Sequence, residues 1–148
     1  MRNIKYIVIH CSATAQTANV ESIKRYWKEK LNWKSPGYHY LIKPDGDIVC
    51  LLDEDKPSNG VKGYNSVSIN VCYVGGIDQR EKPVDNRTGE QKASLVFLLE
   101  QLKDRYPRAT IRGHRDFSPD LNGNGIIEPD EWIKFCPCFD ADKEYKNL

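Results

Sequence analysis

Apolar residues recur along this chain in two periods, and the switches between them outline its elements. Lys5–His10 is a short apolar run that predicts a buried strand. Asn19 stands where a helix cap is needed. Ile23, Tyr26, Trp27 and Lys30 then share one face of a helix predicted to run to about Leu31. Tyr38–Lys43 and Asp47–Leu52 flank Pro44-Asp45-Gly46, a turn sequence that predicts a hairpin. Val67–Val74 reads as a further strand, stopped by Gly75-Gly76, and the polar stretch Asp78–Arg87 reads as a surface loop. Thr88 and Gln91 have the spacing of a capping box. The helix they open sets Leu95, Leu98, Leu99, Leu102 and Tyr106 along one side and ends at Pro107. Ala109–Gly113 predicts a strand with His114 at its tip, and Glu131–Phe135 a short helix.

Strands alternating with a few helices predict an α/β fold, a mixed central β-sheet packed by helices. No repeat or low-complexity linker interrupts residues 1–148, so a single domain is expected, with one core. The formal net charge of +1 gives bulk electrostatics no pull toward nucleic acid or a membrane surface. No transmembrane segment is visible, and the start lacks the apolar region of a secretory signal, so the chain is expected to be cytoplasmic when made. In that compartment its five cysteines are expected to be reduced. Cys11, Cys50 and Cys72 are read as small buried hydrophobes.

The chemistry concentrates between His114 and Cys138. Cys136 and Cys138 form a Cys-Pro-Cys downstream of His114, and His10 follows the first strand. Thiolate and imidazole together make a soft ligand set suited to zinc, with either cysteine available as a ligand. Between them, Asp120 to Glu131 fits the twelve-residue calcium loop. Asp120, Asn122 and Asn124 take positions 1, 3 and 5, Gly125 the turn, and Ile126 supplies a carbonyl. Glu128 takes position 9 and Glu131 the closing bidentate position, while Ile127 is placed to anchor the loop in the core. Pro119 argues against a regular entering helix, and the two asparagines lower the ligand charge and the expected affinity.

Several motifs, in order, resemble the type 2 N-acetylmuramoyl-L-alanine amidases, a family that includes phage lytic enzymes and is related to peptidoglycan recognition proteins. They are Ile9-His10-Cys-Ser-Ala-Thr14, Gly37-Tyr38-His39-Tyr40, Lys62-Gly-Tyr-Asn65, Val71-Cys-Tyr-Val-Gly-Gly-Ile-Asp78 and Lys134-Phe-Cys136-Pro-Cys-Phe-Asp140. The resemblance implies zinc held by His10, His114 and Cys136, with a fourth position open to water. It implies Tyr38 and Lys134 as catalytic partners, the ammonium stabilising charge on an amide oxygen and the phenol donating a hydrogen bond. Lys62, Tyr64 and Asn65 are the implied substrate contacts. Strand alternation sets Tyr38 and Tyr40 on one face and His39 on the other, so His39 is expected to pack or hydrogen-bond rather than bind metal.

The implied activity is zinc-dependent hydrolysis of the bond between N-acetylmuramic acid and L-alanine in peptidoglycan, by a monomer of phage or prophage origin that reaches the wall after release. The alternatives are a non-catalytic peptidoglycan-binding module on the same fold and a cysteine hydrolase using Cys11 or Cys138. Two positions depart from the family. Many members carry a histidine where this chain has Gly60, and Arg115 follows His114 where relatives vary. The Asp120–Glu131 loop is also longer than the family requires. It is expected to bind calcium and so position Lys134 and Cys136.

Overall fold

The computed structural model describes residues 2–148. Its centre is a five-stranded sheet in the order β3-β2-β4-β1-β5. The strands are β1 (Tyr6–Cys11), β2 (Tyr40–Ile42), β3 (Ile48–Cys50), β4 (Ser68–Tyr73) and β5 (Thr110–Gly113). β2, β4, β1 and β5 run parallel, and β3 is an antiparallel edge paired with β2. The mixed α/β sheet is therefore as expected, although the hairpin strands are shorter than their apolar runs.

Two helices cover the sheet, one on each side. α2 (Gly89–Arg105) opens with the Thr88–Gln91 capping box and packs Leu95, Leu98, Leu99 and Leu102 against Ile7, Ile9, Ile69 and Val71. α1 (Val20–Arg25) is capped by Asn19 and continues as a π-helical turn over Tyr26–Lys30. Only Ile23 and Trp27 of its expected face are buried. Tyr26 is 55% exposed, because a spacing of four residues is all this short helix turns toward the sheet. Ile23 and Trp27 pack with Leu41, Cys72 and Val74. Cys11 and Cys72 are buried as expected, whereas Cys50, on the edge strand, is exposed.

Tyr38 and Tyr40 do not share a face. Tyr38 packs with the α1-side cluster and Tyr40 with the α2-side core. The chain bends at His39, before β2 begins at Tyr40, and the two-residue alternation does not extend across that bend.

Residues 131–135 do not form the expected helix. A single 3₁₀ turn covers Pro129–Glu131, and Trp132 already has extended backbone, with φ −68° and ψ 123°. The carboxylate that would have opened a helix instead accepts the N–H of Glu128 at 2.9 Å. The chain ends in a short helix, α3 (Ala141–Glu144), which the apolar pattern does not announce.

Arg87 fastens α3 to the rest of the molecule. Its side chain is 2% exposed, donates to both oxygens of Asp85 and of Glu144, and lies 3.4 Å above the Phe139 ring. Replacing it leaves two carboxylates that recover water only in part. Arg87→Ala is expected to cost about 2 kcal/mol in urea unfolding. Hydrogen bonds from Arg87 hold Glu144 below the usual carboxylate range. At Asp85 burial pushes the other way, but the Arg87 contacts outweigh it. Lowered folded values mean the stabilisation is present above pH of about 4 and lost as pH falls below it. Stability curves of wild type and Arg87→Ala are expected to converge in that acid range.

Candidate metal centre and its groove

Alternation along β1 sends Ile7, Ile9 and Cys11 into the α2-side core and turns His10 to the other side. His114 is the first residue after β5, the neighbouring parallel strand, so both histidines reach the same end of the sheet. Their ring centroids are 4.9 Å apart. Cys136 is the third member: ligand atoms of His10, His114 and Cys136 lie within 4.8 Å of one another.

Cys136 is brought there by the backbone. The N–H of Arg115 donates to its carbonyl at 2.8 Å, and the N–H of Cys11 donates to its Sγ at 3.1 Å. The Tyr73 hydroxyl donates to the Pro137 carbonyl at 2.6 Å. Gly113 leaves room for Pro137, since a Cβ there would lie 2.8 Å from the proline ring. Cys138 has its Sγ 3.8 Å from that of Cys11 and 3.4 Å from the Gly76 carbonyl. Both cysteines pack against the α2-side core, but only Cys136 has its sulfur grouped with the ring nitrogens of His10 and His114. Cys11 is 4% exposed, and its hydrogen bond with Cys136, with burial adding to it, pushes its thiol up to about 12. A nucleophilic cysteine needs access and a thiolate, and this one has neither.

Burial, then the charge of Lys134, lowers His114 to about 4; burial, then His114, takes His10 well below its ordinary value. Both imidazoles are therefore neutral at pH 7 and have lone pairs to offer. Two neutral imidazoles and a cysteine sulfur at this spacing fit zinc in both donor type and number.

The trio lines the second of two groove lobes, of about 650 Å³, and His114 also lines the adjoining first lobe, of about 530 Å³. Trp33, Asn59, Gly60, His114 and Lys134 line both. Tyr38 lines the second lobe, its ring 5.0 Å from that of His10. Its phenol, pushed upward by burial, donates to the Cys11 carbonyl at 3.5 Å. Lys62 and Asn65 line the first lobe. The Asn65 side-chain oxygen Oδ1 is committed to shaping the wall, accepting from Gly60 and Val61 N–H at 3.0 and 2.9 Å. Tyr64 lines neither lobe and packs edge-on against Tyr6 and tilted against Phe117. His39 is fully buried. Its Nδ1 accepts from Asn70 N–H at 3.0 Å and its Nε2 donates to the Lys56 carbonyl at 2.6 Å.

In the 120–131 loop, Asp120 accepts from Gly123 and Gly125 N–H at 3.1 and 2.7 Å. Asn122 and Asn124 accept from the second residue beyond each. Glu131, 4% exposed, accepts from Leu121, Asn122 and Glu128 N–H. Ile127 is half-buried and Ile126 exposed. The acidic groups whose oxygens lie within 4.8 Å of one another are Glu128, Asp130 and Glu131, without Asp120. The sequence pattern did not single out Trp33, Asn59, Phe117 or Asn70 at the site. Asn70 carried a usable signal, a polar residue inside the buried run Ser68–Tyr73.

The mixed sheet thus carries two histidines and a cysteine together at one end of its parallel strands, a candidate metal centre, and comparison with known proteins gives its class. The family described as N-acetylmuramoyl-L-alanine amidase matches residues 1–125. The endolysin of Enterobacteria phage K11 is 37% identical over 140 residues, 94% of this chain and 83% of that protein. The endolysin of Escherichia phage T7 is 38% identical over 142 residues, covering 95% and 85%. Among solved structures, the Ph2119 endolysin from a Thermus scotoductus bacteriophage superposes with TM-score 0.71 at 25% identity, covering 93% of this chain and 79% of that one. Bumblebee PGRP-SA has the same fold, with TM-score 0.75 at 18% identity and coverage of 100% and 83%. This chain belongs to the N-acetylmuramoyl-L-alanine amidase family, and that membership supports a peptidoglycan-degrading amidase activity.

Gly76 is a tight point beside Cys11. Its φ is +99°, and a Cβ there would lie 2.5 Å from Cys11 Sγ. Gly76→Ala is expected to lower the unfolding free energy by about 2 kcal/mol, through left-handed strain and displacement of Cys11. An unchanged urea midpoint would show that the packing under Cys136 is not tight.

Proposed function

We propose that this chain uses zinc to hydrolyse the amide joining the lactyl group of N-acetylmuramic acid to L-alanine in peptidoglycan. The observation that carries the reading is the convergence of His10, His114 and Cys136 within 4.8 Å on the wall of the second groove lobe. Zinc held there supplies Lewis acidity for water and for the scissile carbonyl. Lys134, exposed on the rim, offers its ammonium to the negative charge that builds on the amide oxygen. Tyr38 offers a hydroxyl donor from the opposite lobe. Lys62 is the wall residue best placed to meet a stem-peptide carboxylate, and Asn65 keeps that wall in shape. The phage endolysins among the relatives support phage or prophage origin, with a monomeric enzyme made in the cytoplasm and acting on the wall after release. No helix among the described residues is long and apolar enough to cross a membrane.

The deciding experiment is digestion of purified peptidoglycan with the zinc-loaded protein, scoring the new ends. New L-alanine amino groups are expected; new reducing sugars, or tight binding without cleavage, would overturn the reading. Cys136→Ser is expected to lose zinc and activity together. Lys134→Ala is expected to keep zinc while losing on the order of 10²-fold in rate, and Tyr38→Phe a comparable factor.

Calcium in the 120–131 loop is part of the proposal, supported by the complete spacing of oxygen donors and by positive φ at Gly123 and Gly125. Binding requires Glu131 to leave its three N–H partners and turn toward the ion. Calorimetric titration of calcium into the zinc-loaded protein is expected to give one site of micromolar or weaker affinity. No heat and no change in melting temperature would remove calcium and leave the zinc reading intact.

A further inference from the structure

Asn70 lies in the middle of β4, fully buried in a run that is otherwise suited to an apolar core. A side-chain amide in that position is costly unless both its ends find partners. Both do. Oδ1 is 2.8 Å from His10 Nε2, and Nδ2 donates to the Ser58 hydroxyl at 2.7 Å. β1 and β4 pair in parallel with Val8 opposite Asn70 and His10 opposite Cys72. The amide therefore reaches His10 along the groove-facing side of the sheet.

Space for that amide comes from Gly60. A Cβ at position 60 would lie 2.2 Å from Asn70 Oδ1, 2.3 Å from its Cγ and 2.5 Å from its Nδ2. Any side chain at 60 and the Asn70 amide exclude each other. The absence of a histidine at 60 and the presence of a polar residue in β4 are thus one feature seen from two strands.

We propose that Asn70 is the positioning residue of His10: its carbonyl oxygen holds the proton on Nε2, so that Nδ1 presents its lone pair to the metal centre. Ser58 fixes which end of the amide faces the ring by accepting from Nδ2. A neutral imidazole offers one donor and one acceptor nitrogen, so an acceptor placed on one nitrogen selects the tautomer and the ring orientation together. The inference rests on the zinc reading for its purpose, but its geometry stands in the metal-free protein.

The test uses the whole chain. Nitrogen-15 shifts of the His10 ring, measured on the zinc-free protein above pH 7.5, report the tautomer directly, and competition with a chromophoric chelator reports zinc affinity. Wild type is expected to show a protonated Nε2. Asn70→Leu, which fills the space without offering an acceptor, is expected to show mixed tautomers and zinc binding weaker by 10- to 100-fold. Asn70→Asp, which keeps an acceptor, is expected to retain the Nε2 proton and to stay nearer to wild type in zinc affinity than Asn70→Leu. Gly60→Ala, which touches no ligand, is expected to weaken zinc by pushing the amide away. A wild-type proton on Nδ1 overturns the proposal, as does a folded Asn70→Leu with unchanged tautomer and affinity. Should Asn70→Leu fail to fold, the wild-type shifts and Gly60→Ala still decide. A protein that shows the Nε2 proton yet binds no zinc would sink the zinc reading and leave the positioning of His10 standing.

Discussion

Two backbone N–H groups hold Cys136 in the groove, one from Cys11 to its sulfur and one from Arg115 to its carbonyl. They come from the residues that directly follow His10 and His114. The strands that carry the histidines therefore also fix the cysteine, although it lies more than a hundred residues from one of them in sequence. β1 and β5 are hydrogen-bonded neighbours, so errors in the relative placement of the three side chains are limited by sheet geometry rather than by loop conformation. The Tyr73 hydroxyl on the Pro137 carbonyl and the packing of Pro137 over Gly113 hold the rest of the Cys-Pro-Cys, and the two N–H groups set the place of its first sulfur.

The parts of this arrangement that depend on local pattern were legible in the sequence. β1, β4, the cap and apolar stripe of α2, and the placement of His114 just after a strand follow from periodicity and capping chemistry, whereas His10, expected after its strand, lies within β1. The choice of Cys136 over Cys138 was legible only through family resemblance. What pattern does not carry is where regularity stops. Tyr38 and Tyr40 were expected on one face, but the bend at His39 ends the alternation one residue before β2. Glu131 scans as the start of a helix, but its carboxylate is spent on N–H groups behind it. Asn70 gave its signal as a polar residue in a buried strand, yet its partner could not be read, because Ser58 and Gly60 reach it from a loop.

The position of Cys138 follows from the same β1 geometry. Its sulfur, 3.8 Å from that of Cys11, completes the α2-side core just where Gly76 leaves room. A second sulfur beside the histidines would make a fourth ligand and would close such a set to water. Cys138 instead contacts Cys11 and Gly76, while the proline between the two cysteines packs over Gly113.

The loop from Asp120 to Glu131 bears on Lys134 through its ends more than through its tip. Ile133 N–H donates to Ser118 Oγ at 3.1 Å, and Arg115 stacks 3.8 Å over Trp132, so the excursion is tied off on both sides of the residue pair that precedes Lys134. Closing a loop costs only about 0.6 kcal/mol more for each doubling of its length. An insertion beyond that tie therefore adds little penalty, and its internal order need not be transmitted to the groove. Glu131 sits between the two regimes. Bound to the N–H groups of Leu121, Asn122 and Glu128, it couples the tip to the tied base without any ion. A cation that took its carboxylate would replace that coupling, since the same oxygens cannot serve both. A calcium ion bound there would, on this geometry, change the stiffness of the link to Lys134 and not the existence of the link.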